Sequence, residues 1–166
     1  MNAVTAPVLP TVDAGAAGED TSPPIVAAVD GSPASRAAVR EAVRLGLELD
    51  ARIVFVHVRR GPTGLLGAPF FQRRLSRGMA LARRVLDGAV AVAAGAGVRA
   101  DAEILEGSPT QRIPEFARDR DARLVVVGSR RFRLGPSVSS GIVRAGRKPV
   151  LVATAPEWPA ATAEAA

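Results

Sequence analysis

Three stretches of the chain, Ile25 to Val29, Ile53 to Val58 and Leu124 to Val127, are short, rich in β-branched residues and almost wholly apolar. Such runs suit central parallel strands, which are covered on both faces and have no polar side to alternate with. A fourth run, Val150 to Ala153, follows Pro149. The stretch Val98 to Leu105 differs, because Arg99, Asp101 and Glu103 alternate with small or apolar residues. That period of two marks a strand with one wet face, at the edge of a sheet.

The intervening segments carry a helical period. Ser32-Pro33 supplies an N-cap and a first-turn proline. After it Ala34, Ala37, Ala38, Ala42, Val43 and Leu49 can face a sheet while Arg36, Arg40 and Arg44 face water. A longer helix is predicted from about Phe71 to Ala94, with Arg73, Arg74, Arg77, Arg83 and Arg84 on its exposed side and Phe70-Phe71 read as core. Ser108-Pro109 opens a third helix, which Pro114 is expected to shorten or kink. Ser137 caps a fourth, ending near Gly146. Strand and helix alternate to a final strand, so the predicted fold is α/β: an open, doubly wound, Rossmann-like sandwich of five parallel strands with helices on both faces. Ligands of such sheets sit beyond the carboxyl ends of the strands where the strand order reverses. This directs attention to Asp30-Gly31-Ser32, His57-Val58-Arg59 and Gly128-Ser129-Arg130.

Composition narrows the chemistry. With 166 residues, 48% hydrophobic and 23% charged, the chain suits one compact domain with short appendages. No apolar run approaches the roughly 18 to 20 residues of a membrane span. There is no cysteine and a single histidine, His57, which removes disulfides, thiolate metal sites, cysteine nucleophiles and histidine zinc clusters. The N-terminal residues lack a secretory pattern, and a cytoplasmic location is expected.

The net charge of +6 hides a division. Residues 1–22 contain Asp13, Glu19 and Asp20 with no base, and residues 155–166 contain Glu157 and Glu164 with no base. Both tails are rich in small residues and proline and are predicted to be disordered around a domain spanning residues 23–154. Removing those five acids leaves 11 acids against 22 bases, of which all but Lys148 are arginine. A basic body of that kind can attract nucleotides, nucleic acid or acidic partners. The paired arginines of the long helix read more simply as a solvated face.

Catalytic constellations are scarce. His57 sits in an apolar strand without an evident carboxylate and reads as a packed or hydrogen-bonded structural residue. The Ser137 to Ser140 segment has no G-x-S-x-G elbow and no second histidine to complete a triad. By itself, Asp30 reads as a cap for the Ser32 turn.

Taken in order, Val29-Asp30-Gly31-Ser32-Pro33-Ala34-Ser35, Val56-His57-Val58, Gly107-Ser108-Pro109, Val125-Val126-Val127-Gly128-Ser129-Arg130, Ser137-Val138-Ser139 and Pro149-Val150-Leu151-Val152 resemble the successive landmarks of the universal stress protein family. The resemblance spans roughly residues 23 to 154. It implies strand order 3-2-1-4-5 and commonly a homodimer, here paired through Val150, Leu151, Val152 and Ala153. It also implies two kinds of member, those that bind ATP and those that do not. In the ATP-binding kind, an aspartate ending the first strand and a valine after the second contact the adenosine, which points to Asp30 and Val58, with Ala28 beside them. A phosphate loop G-x2-G-x9-G-[ST] follows the fourth strand. Its first glycine matches Gly128, and its closing residues match Ser137, Val138 and Ser139.

The middle of that loop departs from the family. Arg131 stands where the second glycine belongs, Gly135 comes early, and Pro136 removes a backbone donor. Arg130, Arg131 and Arg133 can instead fork guanidinium groups onto phosphate oxygens. The cofactor-binding candidates are therefore Ala28, Asp30, Val58, Gly128, Ser129, Arg130, Arg131, Gly135, Ser137, Val138 and Ser139. The glycine-bearing connection from Arg59 to Pro69 lies at the same edge, as a lid or as a plain surface loop. Three readings stay open: a non-catalytic, dimeric stress-response regulator occupied by ATP or another adenine nucleotide; a nucleotide-free dimeric adaptor for an unknown protein partner; and, least favoured, a basic RNA or DNA binder.

Overall fold

A computed structural model describes residues 22–59, 68–129, 137–146 and 148–154, with the backbone alone for residues 68–75. Residues 1–21 and 155–166, most of the connection after the second strand, and the loop residues Arg130, Arg131, Arg133, Gly135 and Pro136 lie outside the described residues.

The elements follow the expected alternation: β1 (Ile25–Ala28), α1 (Pro33–Glu48), β2 (Ile53–Arg59), α2 (Ala68–Gly95), β3 (Ala100–Glu106), α3 (Pro109–Asp119), β4 (Leu124–Ser129), α4 (Val138–Ala145) and β5 (Val150–Thr154). The strands form one five-stranded sheet of order β3-β2-β1-β4-β5, and every pairing is parallel. Strand β1 is central, with Ile25 opposite both Ile53 and Leu124. The order reverses there, since β1 is followed outward by β2 on one side and β4 on the other.

Alternation along the strands divides the core. Ile25, Ala27, Phe55 and Val126 pack with α1 and α2, whereas Val26, Val54, Val56, Val125 and Val127 pack with Ile113, Ala117 and Ile142 of α3 and α4. The alanines of α1 matter because a helix face without bulk lies close to its sheet; Ala38 and Ala42 are fully buried. As anticipated, β3 is an edge strand with Asp101 exposed.

Helix starts are set locally. Ser32 Oγ accepts from Ser35 N–H at 3.2 Å, with Pro33 opening α1. Ser137 and Ser140 form a reciprocal capping box on α4. Two expectations need correction. Helix α2 begins three residues before Phe71, at Ala68. Helix α3 runs through Pro114 for 11 residues. The missing proline N–H costs one bond to the Thr110 carbonyl, while burial of Ile113 and Ala117 on either side of Pro114 holds the helix to the sheet.

Candidate functional site

At the carboxyl ends of β1 and β4, a cleft of about 140 Å³ opens between the starts of α1, α3 and α4. Its apolar walls come from Val56 and Val58 of β2, Val127 of β4, Ile113 of α3 and Ile142 of α4. Asp30, Ser32, Ser35 and Ser139 supply polar groups to its lining. The cleft lies at the reversal point of strand order, as the open-sheet rule requires.

Each polar group is positioned by its local sequence. Gly31 has φ +81°, the left-handed conformation that glycine adopts without penalty, and it turns the chain from β1 into α1. In that turn, Asp30 Oδ1 accepts a hydrogen bond from Ser32 N–H at 2.9 Å. The carboxylate thus has the turn-capping role its position suggests, while it stays solvent-exposed at the cleft. Ser35 is buried and donates its hydroxyl to the Ser32 carbonyl at 3.0 Å. Ser139 is buried too, with its Oγ 3.0 Å from Ser137 Oγ.

Across α4, Ser140 N–H reaches Ser137 Oγ at 3.1 Å and Gly141 N–H reaches the Ser137 carbonyl at 3.0 Å. The two remaining first-turn donors, Val138 N–H and Ser139 N–H, have no intrahelical acceptor by the geometry of any helix start. Both residues line the cleft, at the positive end of the helix dipole.

Of the sequence candidates, Ala28, Asp30, Val58, Gly128, Val138 and Ser139 converge on this cleft. Ser129 is half-buried at the end of β4, paired with Thr154, outside the lining. Ser137 caps α4 and faces a separate groove between α3 and α4. Arg130, Arg131 and Gly135 lie outside the described residues. Pro109 and Ile113 join the lining without having been singled out. They arrive through the approach of α3 to the sheet, and the Ser108-Pro109 helix start was the sequence signal available for them.

Gly128 has a different reason to be glycine than a phosphate loop suggests. A Cβ there would lie 2.2 Å from the Ala34 carbonyl oxygen and 2.8 Å from Ser35 N. The residue lets the first turn of α1 approach the end of β4, and it is not among the glycines with positive φ. His57 likewise has a structural place, with Nδ1 2.8 Å from the Val29 carbonyl oxygen. A carbonyl only accepts, so Nδ1 carries the proton.

Some of the arginine charge is paired at the surface. Arg44 pairs with Glu41 and Glu48, Arg52 with Asp101, Arg59 with Glu106, Arg112 with Glu115 and Arg120 with Glu103. The Arg44 hydrogen bond holds the Glu41 carboxyl below its ordinary pKa, and both carboxylates raise that of Arg44. Among the described residues no helix is long and apolar enough to cross a membrane, and no group of three or more His, Cys, Asp or Glu side chains could hold a metal.

A central parallel sheet with a polar-rimmed cleft at its switch point defines the class: an open α/β domain of the kind that receives small ligands at its strand ends. Comparison with known proteins resolves it further. The universal stress protein family profile matches residues 22–154. Universal stress protein YxiE of Bacillus subtilis is 30% identical over 143 residues, covering 77% of this chain and 96% of its own. The crystal structure of a universal stress family protein from Burkholderia pseudomallei superposes with a TM-score of 0.64 at 28% identity, covering 81% and 98% of the two chains. An Arabidopsis thaliana member solved with AMP bound gives a TM-score of 0.66 at 20% identity, over 81% and 93%. The chain belongs to the universal stress protein family.

Proposed function

We propose that this protein is a non-catalytic regulator in the stress response whose switch-point cleft receives an adenine nucleotide. The observation that carries the reading is the meeting of Asp30, Val58, Val138 and Ser139 in one cleft at the strand ends. The base and ribose occupy the apolar part beside Val56, Val58 and Ile113, with Asp30 accepting from ribose hydroxyls. The phosphate points toward Val138 N–H and Ser139 N–H at the start of α4. At about 140 Å³ the cleft is smaller than the roughly 300–1,000 Å³ of a complete ligand pocket. It therefore encloses part of the nucleotide, with the rest reaching outward. The AMP bound to the Arabidopsis relative supports the ligand class.

Mass spectrometry of small molecules released from freshly purified, denatured protein tests the reading, alongside thermal melting with millimolar AMP and ATP. A retained adenine nucleotide, or stabilisation approaching the ~2.7 kcal/mol expected at 100 times Kd, supports it. Protein that retains nothing and melts unchanged contradicts it.

A second reading, compatible with the first, is self-association through β5. This strand is an edge of the sheet, Val152 on it is 40% exposed, and Val143 on the adjacent α4 is 49% exposed. An unpaired strand edge with apolar side chains matches a second copy of itself across a two-fold axis. Sedimentation at tens of micromolar is expected to give a dimer, and a monomer would refute this arrangement.

A further inference from the structure

A second hollow lies on the opposite face of the sheet, between α1 and α2, and measures about 470 Å³. Val39 forms one wall, and Val85, Ala89 and Val92 form the other. Gly88 leaves it open, since a Cβ there would meet nothing within 4 Å. Val92 is 48% exposed. Two cations, Arg36 and Arg40, stand on the α1 side. Arg40 has no ion pair or hydrogen bond among the described residues, and Arg36 reaches only the Gly31 carbonyl, at 3.5 Å. The groove is thus apolar within and positive along one bank.

The chain carries a segment of matching chemistry. Residues 4–13 contain Val4, Val8, Leu9 and Val12, followed at once by Asp13, and residues 1–21 hold three acids and no lysine or arginine. Pro7 and Pro10 favour an extended path. The geometry permits the match. The segment joins the domain at Ser22, just before β1, the strand beneath the groove. Strand β1 is four residues long, about 13 Å, whereas the nine steps from Asp13 to Ser22 span up to about 30 Å. The C-terminal residues 155–166 fit less well. They offer one large apolar side chain, Trp158, and start from β5, on the far side of α1 from α2.

We infer that residues 4–13 dock in the α1–α2 groove, with Val8, Leu9 and Val12 against Val39, Val85 and Val92 and with Asp13 at Arg36 and Arg40. The docking does not depend on a bound nucleotide. It does bear on the cleft, because Val29 and Ser35 line both hollows, so the segment braces the turn that carries Asp30.

The absence of cysteine makes the test clean, since Ala6→Cys gives the full-length chain a single attachment point for a spin label. Amide signals of residues 36–40 and 85–92 are expected to broaden at least threefold more than those of Ala117 on the other face. Arg36→Glu with Arg40→Glu should abolish that difference, as should Gly88→Leu, which fills the groove. Broadening no greater than at Ala117 would overturn the proposal. So would broadening that persists in both variants, or that arises only when labelled and isotope-enriched molecules are mixed, the sign of a second copy. Groove broadening from a label at Ala160→Cys, with none from Ala6→Cys, would identify the C-terminal residues as the occupant and equally overturn it.

Discussion

The two faces of the sheet solve the same packing problem differently. On the α1–α2 face, small residues bring helix and sheet together: Ala34, Ala37, Ala38 and Ala42 are buried, and Gly128 admits the first turn of α1. On the α3–α4 face the helices are shorter, at 11 and 8 residues, and larger aliphatics such as Ile113 and Ile142 fill the space. The first arrangement leaves its hollow between two helices. The second leaves its hollow where three helix starts meet the strand ends, beside Asp30. Position at the switch point, more than hollow size, distinguishes the cleft proposed for the nucleotide from the groove.

That contrast can be broken most severely from the α3–α4 side. Ile142 is 1% exposed and forms part of the cleft wall. Ile142→Ala should cost about 2–5 kcal/mol in urea unfolding, through lost burial and the cavity left behind. On the other face, Gly128→Ala forces a methyl group against the Ala34 carbonyl, which is backbone and cannot rotate away. Overpacking of this kind should cost about 1–3 kcal/mol or more. A Gly128→Ala protein as stable as the parent would show that α1 and β4 do not approach as described.

Gly88→Ala provides the matched control. It adds the same methyl group in a helix interior with no described atom within 4 Å, so unfolding should show at most a small change, with a gain of up to about 1 kcal/mol from helix propensity. The smallest effect concerns acid. Glu41 has a lowered pKa in the folded protein, so its pairing with Arg44 stabilises above the unfolded carboxyl pKa and is lost as pH falls through the folded one. Glu41→Gln should slightly reduce stability at pH 7 and slightly flatten its decline below about pH 4.5, measured by unfolding at a series of pH values.

The sheet was legible because central parallel strands are written as continuous apolar runs, and Ile25–Ala28, Ile53–Arg59 and Leu124–Ser129 need no partner information to be seen. Ser32 and Ser137 were legible as caps for a similarly local reason. The resemblance then supplied strand order and drew attention to Asp30 and Val58. What escaped depends on approach between distant segments. Pro109 and Ile113 enter the cleft only because α3 packs under it, and Gly128 owes its identity to a carbonyl more than ninety positions earlier. Pro114 was expected to shorten or kink α3 because local propensity registers the missing N–H and not the burial of Ile113 and Ala117. Ser129 and Ser137 were drawn into the candidate set by motif position, although one ends a strand and the other caps a helix.

The most direct test is a titration of isotope-enriched protein with AMP, followed through its amide signals. Saturable shifts concentrated at Asp30, Gly31, Val58, Val138 and Ser139, and weakened by Asp30→Ala, are the predicted result. Shifts absent at millimolar AMP, or confined to residues away from the strand ends, would contradict the assignment of the cleft.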